Sequence, residues 1–223
     1  MRFQWYTIPI LTDNYIYVLR DNHKEHVLAV DPGESATLID FLKTRKWSLN
    51  TILLTHHHPD HIDGCQKLRE HYHCDVLGAA SDQHRLPLLN RGLIEGEIFF
   101  WSQDLEVHVM AAPGHTRHHV LYFLPKIPLL FCGDTLFSAG CGRLFEGTAQ
   151  EMWTTFQTLL SLPDNTIMAC THEYSLANIL FALSILPQDP DIQKRLQDVQ
   201  SLLDNHTPTV PTLLSLEKKI NLF

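Results

Sequence analysis

The sequence predicts an α+β fold that closes in a short helical C-terminal region. Three observations predict it. Segments rich in β-branched and aromatic residues are interleaved with helical apolar spacing as far as about residue 173. Polar side chains able to hold a metal recur just after the ends of expected strands, following Leu54, Ala112, Phe131 and Cys170. Beyond Glu173 only helical spacing remains. Two parts are therefore expected, residues 1–173 as a mixed strand-and-helix domain and residues 174–223 as a helical region.

The elements follow in order. Phe3 to Ile10 and Tyr15 to Arg20 read as strands, with Thr12-Asp13-Asn14 as the turn between them, and His26 to Val30 is a third, ending at Asp31-Pro32-Gly33. Ser35 is placed to cap a helix through about Lys46, whose Leu38, Ile39, Phe41 and Leu42 share one face. Asn50 to Leu54 is a buried strand, followed by a helix to about Tyr72 and a short strand from Cys74 to Leu77. Strands return at Leu105 to Ala112, Val120 to Leu124 and Leu129 to Phe131. Glu151 to Leu162 is a helix and Thr166 to Ala169 a buried strand. Leu176 to Leu186 and Ile192 to Asn205 are helices separated by Pro187-Gln188-Asp189-Pro190.

Composition narrows the function. At 223 residues the chain has ample length for a core. A net charge of −8 with no basic run argues against a nucleic-acid surface, which rests on clustered Lys and Arg. The five cysteines (Cys65, Cys74, Cys132, Cys141 and Cys170) are odd in number, widely spaced and free of any C-x-x-C pair, which points to reduced thiols in a cytoplasmic protein. The first residues lack a signal-peptide core, and no apolar run approaches the ~20 residues of a membrane span. A cytoplasmic protein that engages neither nucleic acid nor membrane is expected, and a monomer.

The run Thr55-His56-His57-His58-Pro59-Asp60-His61 carries the chemistry. In extended backbone, residues i and i+2 point to one side, so His56 and His58 project together while His57 faces away and reads as structural. The turn into the following helix redirects Asp60 and His61 toward a second point. His115 in Pro113-Gly114-His115-Thr116, Asp134 in Gly133-Asp134-Thr135 and His172 in Thr171-His172-Glu173-Tyr174 complete a set of seven. Imidazole and carboxylate suit zinc, and also iron or manganese. Seven ligands are too many for one four-coordinate zinc and divide between two ions, with Asp134, alone on its loop, as the candidate bridge. His119 reads as a hydrogen-bonding neighbour, Asp63 as an early-helix anion, and Cys132 and Cys170 as buried thiols. His71, His73, His84 and His206 read as surface residues.

These segments resemble the metallo-β-lactamase superfamily and, within it, the hydroxyacylglutathione hydrolases called glyoxalase II. The block from Gly133 to Gly147, including Gly140-Cys141-Gly142-Arg143-Leu144-Phe145-Glu146-Gly147, carries the glyoxalase likeness. The resemblance implies a four-layer αβ/βα sandwich with metals at one edge. It assigns His56, His58 and His115 to one ion, Asp60, His61 and His172 to the other, and Asp134 to both, with Asp60 and Asp134 in catalytic roles. It also implies two divalent ions, foremost Zn2+, and an acylglutathione substrate whose glutathione part meets Arg143 and Tyr174. The activity implied is hydrolysis of S-(2-hydroxyacyl)glutathione such as S-lactoylglutathione to glutathione and a 2-hydroxy acid, a step of methylglyoxal detoxification.

Three departures stand out. His118 occupies a position where the family usually has glycine, which is expected to alter the pocket rim. Phe145 stands where a tyrosine is common. Relatives continue past the position of Phe223 with further basic residues that grip glutathione, so weaker glutathione binding is expected, with Lys218 and Lys219 as substitutes. Rival readings are a hydrolase of another thioester or a lactone, a mononuclear-iron persulfide dioxygenase, which has no need of Asp60, His61 and His172, and a non-catalytic metal-binding module. A thioester suits this equipment, because a leaving thiolate near pKa 8.5 needs little protonation.

Overall fold

The computed structural model describes residues 2–223 as two six-stranded sheets packed face to face, with helices outside them. The first sheet is built from β1 (Phe3–Ile10), β2 (Asn14–Asp21), β3 (His26–Val30), β4 (Thr51–Leu53), β5 (Asp75–Ala79) and β6 (Arg91–Leu93), in that order. Its first three strands form an antiparallel meander, and β3 to β6 run parallel. The second sheet has the order β14 (Thr212–Leu213), β13 (Ile167–Cys170), β10 (Leu129–Gly133), β9 (Val120–Leu124), β8 (Leu105–Ala111) and β7 (Ile98–Trp101). Its pairings are antiparallel except β10 with β13.

Side chains alternate across a strand, so each sheet feeds two layers. From the first sheet, Tyr17, Leu19, Leu28, Val30, Leu53 and Leu77 meet Val107, Val109, Leu121, Phe123 and Leu130 of the second in the main core. The opposite face, with Ile16, Val18, Val27, Ala29, Ile52 and Val76, is covered by Leu38 and Leu42 of α1 (Ala36–Arg45) and Leu68 of α3 (Cys65–Tyr72). Met152, Phe156 and Leu159 of α4 (Ala149–Leu160) join the main core. This is the expected four-layer sandwich. The C-terminal helices α5 (Ser175–Ile185), α6 (Pro190–Asp204) and α7 (Leu214–Ile220) have a small core of their own in Ile179, Ala182, Ile192, Val199 and Ile220, which also takes in Ala139.

Several sequence expectations change. Ser35 sits at the start of α1 but makes no side-chain cap, whereas Thr148 and Glu151 form a reciprocal capping box on α4. The helix expected up to Tyr72 is two, because α2 (Pro59–Ile62) stops before Gly64. A Cβ on Gly64 would lie 2.4 Å from the Glu34 backbone, so the chain must be bare where it crosses that loop. Strands β6, β7 and β14, the hairpin of β11 (Leu136–Phe137) with β12 (Gly140–Cys141), and helix α7 add to the elements that the sequence predicts.

The turn before β2 and the loops after β3, β4, β8, β10 and β13 gather at one rim. Hydrogen bonds cross between the sheets there: Tyr15 N–H to Thr171 O at 2.7 Å, Val120 N–H to Thr55 O at 3.0 Å, Tyr17 Oη to Cys170 O at 2.8 Å and Tyr122 Oη to Leu54 O at 2.7 Å. No helix among the described residues is long and apolar enough to cross a membrane.

Candidate metal centre

The seven ligand candidates converge at this rim. His56 Nε2 and His115 Nε2 each lie 3.0 Å from His58 Nδ1. The outer ring nitrogens settle their tautomers. His115 Nδ1 donates to Arg143 O at 2.8 Å, and His56 Nδ1 lies 3.0 Å from Thr55 Oγ, whose own proton goes to Asp31. Both Nε2 atoms are thus bare lone pairs aimed at one point. Burial pushes His56 and His115 below the usual imidazole range and His58 down to about 4, which keeps all three neutral. Three neutral imidazoles facing one another lack protons to share and fit a cation.

The second group is anionic. His172 Nε2 lies 3.4 Å from Asp60 Oδ2 and 3.3 Å from Asp134 Oδ2, and His61 Nε2 lies 3.3 Å from Asp134 Oδ1. Yet His61 Nε2 and Asp134 Oδ1 are both buried without a well-formed hydrogen bond. Burial alone would raise the Asp134 carboxyl, but His61 and His172 hold it well below the usual carboxylate range. Burial likewise opposes a charge on His172, yet Asp134 and Asp60 push it up to about 10. The site demands positive charge, which a divalent ion supplies without borrowing a proton. Asp134 Oδ2 is also 3.4 Å from His115 Nε2, so this carboxylate touches both groups. Three overlapping sets satisfy the spacing of a metal cluster: His56, His58 and His115; His56, His61 and Asp134; Asp60, His61 and His172.

An outer ring of partners aims these ligands. Asp31 Oδ2 accepts from His61 Nδ1 at 3.1 Å, Asp13 Oδ1 from His172 Nδ1 at 2.9 Å, and Asp60 Oδ2 from Asn14 Nδ2 at 2.8 Å. Asp134 N–H donates to His119 Nε2 at 3.2 Å, so His119 holds the Asp134 backbone. Glu173 accepts from Tyr15 Oη at 2.7 Å and from Thr209 N–H at 2.8 Å, tying the C-terminal region to the strand beside His172. Sequence alone marks Asp13, Asn14 and Asp31 only as turn residues. The signal that finds them is the same strand-end rule, since Asp31 follows β3 and Asn14 opens β2.

A cavity of about 610 Å3 opens above the ligands, walled by Phe137, Cys141, Arg143, Phe145, Tyr174 and Asn178. Tyr174 stacks on His172 with ring centroids 4.7 Å apart and planes within 4°. Arg143 is exposed, lies over the Phe145 ring at 5.5 Å, and has no acidic partner among the described residues. Asp63 is exposed outside the ligand sets, and His71, His73, His84 and His206 are exposed too. Cys132 and Cys170 are fully buried thiols pushed well above their ordinary range by burial.

Two expectations about the rim change. His118 lines a separate cleft of about 230 Å3 with Glu95 and Arg117, so it does not border the ligand cavity. Lys218 is paired with Asp164 at 2.6 Å and borders an apolar groove with Trp153 and Phe223, away from Arg143.

Comparison with known proteins agrees with this geometry. The metallo-beta-lactamase superfamily model matches residues 11–172, and the model of the hydroxyacylglutathione hydrolase C-terminus matches residues 173–223. Hydroxyacylglutathione hydrolase of Erwinia tasmaniensis is 43% identical over 218 residues, spanning 97% of this chain and 84% of that protein. Its counterpart in Citrobacter koseri is 44% identical over 218 residues with the same spans. The solved structure of TTHA1623 in a di-iron-bound form superposes with a TM-score of 0.73, covering 98% of this chain and 99% of that one. At 22% identity, that likeness speaks for the fold.

Proposed function

We infer the division of labour among these side chains from one premise: the chain belongs to the hydroxyacylglutathione hydrolases of the metallo-beta-lactamase superfamily. It is a metal-dependent thioester hydrolase of glyoxalase II type, acting on S-(2-hydroxyacyl)glutathione such as S-lactoylglutathione to release glutathione and a 2-hydroxy acid. The observation that carries the assignment to residues is the convergence of seven ligating side chains beneath one open cavity.

Two Zn2+ ions are the proposed complement, with iron and manganese accepted by the same donors. His56, His58 and His115 would hold the first, Asp60, His61 and His172 the second, and Asp134 both. When bound, paired divalent ions lower the pKa of water toward neutrality and polarise a carbonyl oxygen. The chain's own residues do the rest. Asp31, Asp13, Thr55 and the Arg143 carbonyl take the outer imidazole protons and leave the inner nitrogens bare. Asp60 and Asp134 concentrate negative charge between the imidazoles, and Asn14 and the His119 ring fix their approach. Arg143, unpaired at the cavity wall, is suited to bind a glutathione carboxylate through its planar fork. Tyr174 presents a flat wall held by His172, and with Asn178 it gives the region from residue 174 onward its share in substrate binding. Among the described residues lining the cavity, the carboxyl groups are those of Asp60 and Asp134, both in the proposed ligand set, which suits a thiolate leaving group that needs little protonation.

The test is metal analysis together with turnover of S-lactoylglutathione. Two equivalents of metal and hydrolysis are expected; a single iron with no thioester cleavage would overturn the assignment in favour of a one-metal oxidoreductase. A monomeric state in the cytoplasm completes the reading, with sedimentation equilibrium as the check on the first.

A further inference from the structure

Outside the ligand set, four side chains form a continuous run of contacts that metal binding does not explain: His57, Asp82, Arg85 and Glu146. His57 lies between two ligands but turns outward, with Nδ1 3.0 Å from Asp82 Oδ2 and Nε2 3.6 Å from Glu146 Oε1. Asp82 is fully buried and also accepts from Arg85 Nε at 2.6 Å. The Arg85 guanidinium then reaches both oxygens of Glu146, at 2.5 and 3.2 Å. Glu146 Oε2 further accepts the Arg117 N–H at 2.8 Å.

Glu146 is three residues beyond Arg143, on the loop that carries Arg143 and Phe145 into the cavity wall. The main chain of this loop is laced to the His115 loop: Phe145 N–H donates to His115 O at 3.2 Å and Gly147 N–H to Gly114 O at 3.0 Å. Contact is so close that a Cβ on Gly147 would lie 2.6 Å from Gly114 Cα. Leu144 and Phe145 are 40% and 58% exposed, and the inner side of the loop is held by the bond from His115 Nδ1 to Arg143 O at 2.8 Å and by the Phe145 ring against His58 and His115. Its outer side is held by Glu146, through Arg85 and the Arg117 N–H.

We propose that the Arg85–Glu146 pair, seated on buried Asp82, is a clasp that positions the Arg143–Phe145 loop and thereby sets affinity for the anionic thiol portion of the substrate. Arg85 and Glu146 are positioning residues and touch no substrate. Both side chains are about three-quarters shielded, at 28% and 27% exposure, so solvent screens the pair less than an open surface bridge. A two-pronged contact fixes angle as well as distance, which a loop aiming a guanidinium needs. The proposal rests on the reading of Arg143 as a glutathione contact.

The experiment compares metal-loaded wild type with Arg85→Ala, Arg85→Lys, Glu146→Gln, the Arg85→Ala/Glu146→Gln double variant and Arg143→Ala. Each is assayed on S-lactoylglutathione and on the lactoyl thioester of N-acetylcysteamine, whose thiol portion carries no charge. Arg85→Ala and Glu146→Gln are each expected to raise KM for S-lactoylglutathione about fivefold, and to lower the preference for the charged substrate by the same factor. The double variant should be no worse than either single one, and Arg85→Lys should recover part of the loss. Equal losses on both thioesters, with reduced metal content, would overturn the clasp and make the run a support for the ligand loop. If Arg143→Ala raises KM while the clasp variants do not, the clasp fails and the Arg143 reading stands. If Arg143→Ala leaves KM unchanged, both fail. Metal content and Tm of every variant separate these outcomes from misfolding, and Arg85→Lys and Glu146→Gln keep side-chain size.

Discussion

Asp31→Ala tests how much the outer ring contributes. The Asp31 carboxylate is buried and accepts three hydrogen bonds: Thr55 N–H at 2.8 Å, Thr55 Oγ at 2.6 Å and His61 Nδ1 at 3.1 Å. Alanine would leave the Thr55 amide and the His61 ring proton without acceptors, while the Thr55 hydroxyl can rotate. A buried donor stranded in this way costs about 1–3 kcal/mol. Asp31 also has a φ of 51°, a left-handed conformation that aspartate tolerates and alanine resists by a further ~1 kcal/mol. The expected loss is about 3–7 kcal/mol, a large part of the roughly 5–15 kcal/mol that holds a typical domain together. Asp31→Asn, which keeps one acceptor and the same backbone tolerance, should lose less. Urea unfolding of the metal-free protein reads the stability term without interference from bound ions. Competition with a chelator then reads the second consequence: His61, freed from its acceptor, should bind metal about 10–100-fold more weakly. An alanine variant within 1 kcal/mol of wild type, with unchanged metal affinity, would refute the reasoning.

Other perturbations reach different links. Asp134→Ala removes the one carboxylate in contact with both ligand groups, so the purified variant should hold fewer than two metals and lose at least ~1000-fold in kcat/KM; wild-type turnover would end the case for a shared ligand. Thr148→Ala breaks the capping box on α4 and should lower stability by about 1 kcal/mol, read as a shift in urea midpoint at unchanged slope. Arg85 holds the Glu146 carboxyl down at about 2, so this group adds stability that is fully present above about pH 4.5 and fades as pH falls toward 2. Glu146→Gln should flatten the acid limb of stability in that window, measured on metal-free protein; an unchanged limb would contradict the pairing.

Much of this architecture can be read from local pattern. Strands β1, β2, β3, β8 and β9 announce themselves through dense β-branched and aromatic runs, and the histidine motif through its spacing after a buried strand. The missed elements have weak local signals. Strands β6 and β14 and the β11–β12 hairpin span only two or three residues each, too few for a period to show. In β7, Ile98-Phe99-Phe100-Trp101 is apolar throughout, although only Phe99 and Trp101 turn inward. Helix α7 follows a Pro and is only seven residues long. Ser35 looks like a helix cap, yet Glu34 bonds Thr37 across the first turn instead. Asp13, Asp31 and Glu146 lie far along the chain from the groups they hold. Spacing cannot reveal such partners; they emerge once the two sheets are docked.

The proposed ligands are divided between the halves of the sandwich. His56, His58, Asp60 and His61 follow β4 of the first sheet, whereas His115, Asp134 and His172 follow β8, β10 and β13 of the second. An ion held by this set would be gripped from both sides, like a rivet through two plates. Neither plate alone presents all of these side chains, so ion binding would be coupled to the cohesion of the halves. With no ion bound, protons on His61 and His172 would have to offset Asp60 and Asp134, while the Tyr15–Thr171 and Val120–Thr55 bonds remain as main-chain ties across this rim. Release of an ion from this rim would therefore loosen the contact between the two sheets as well as the candidate site.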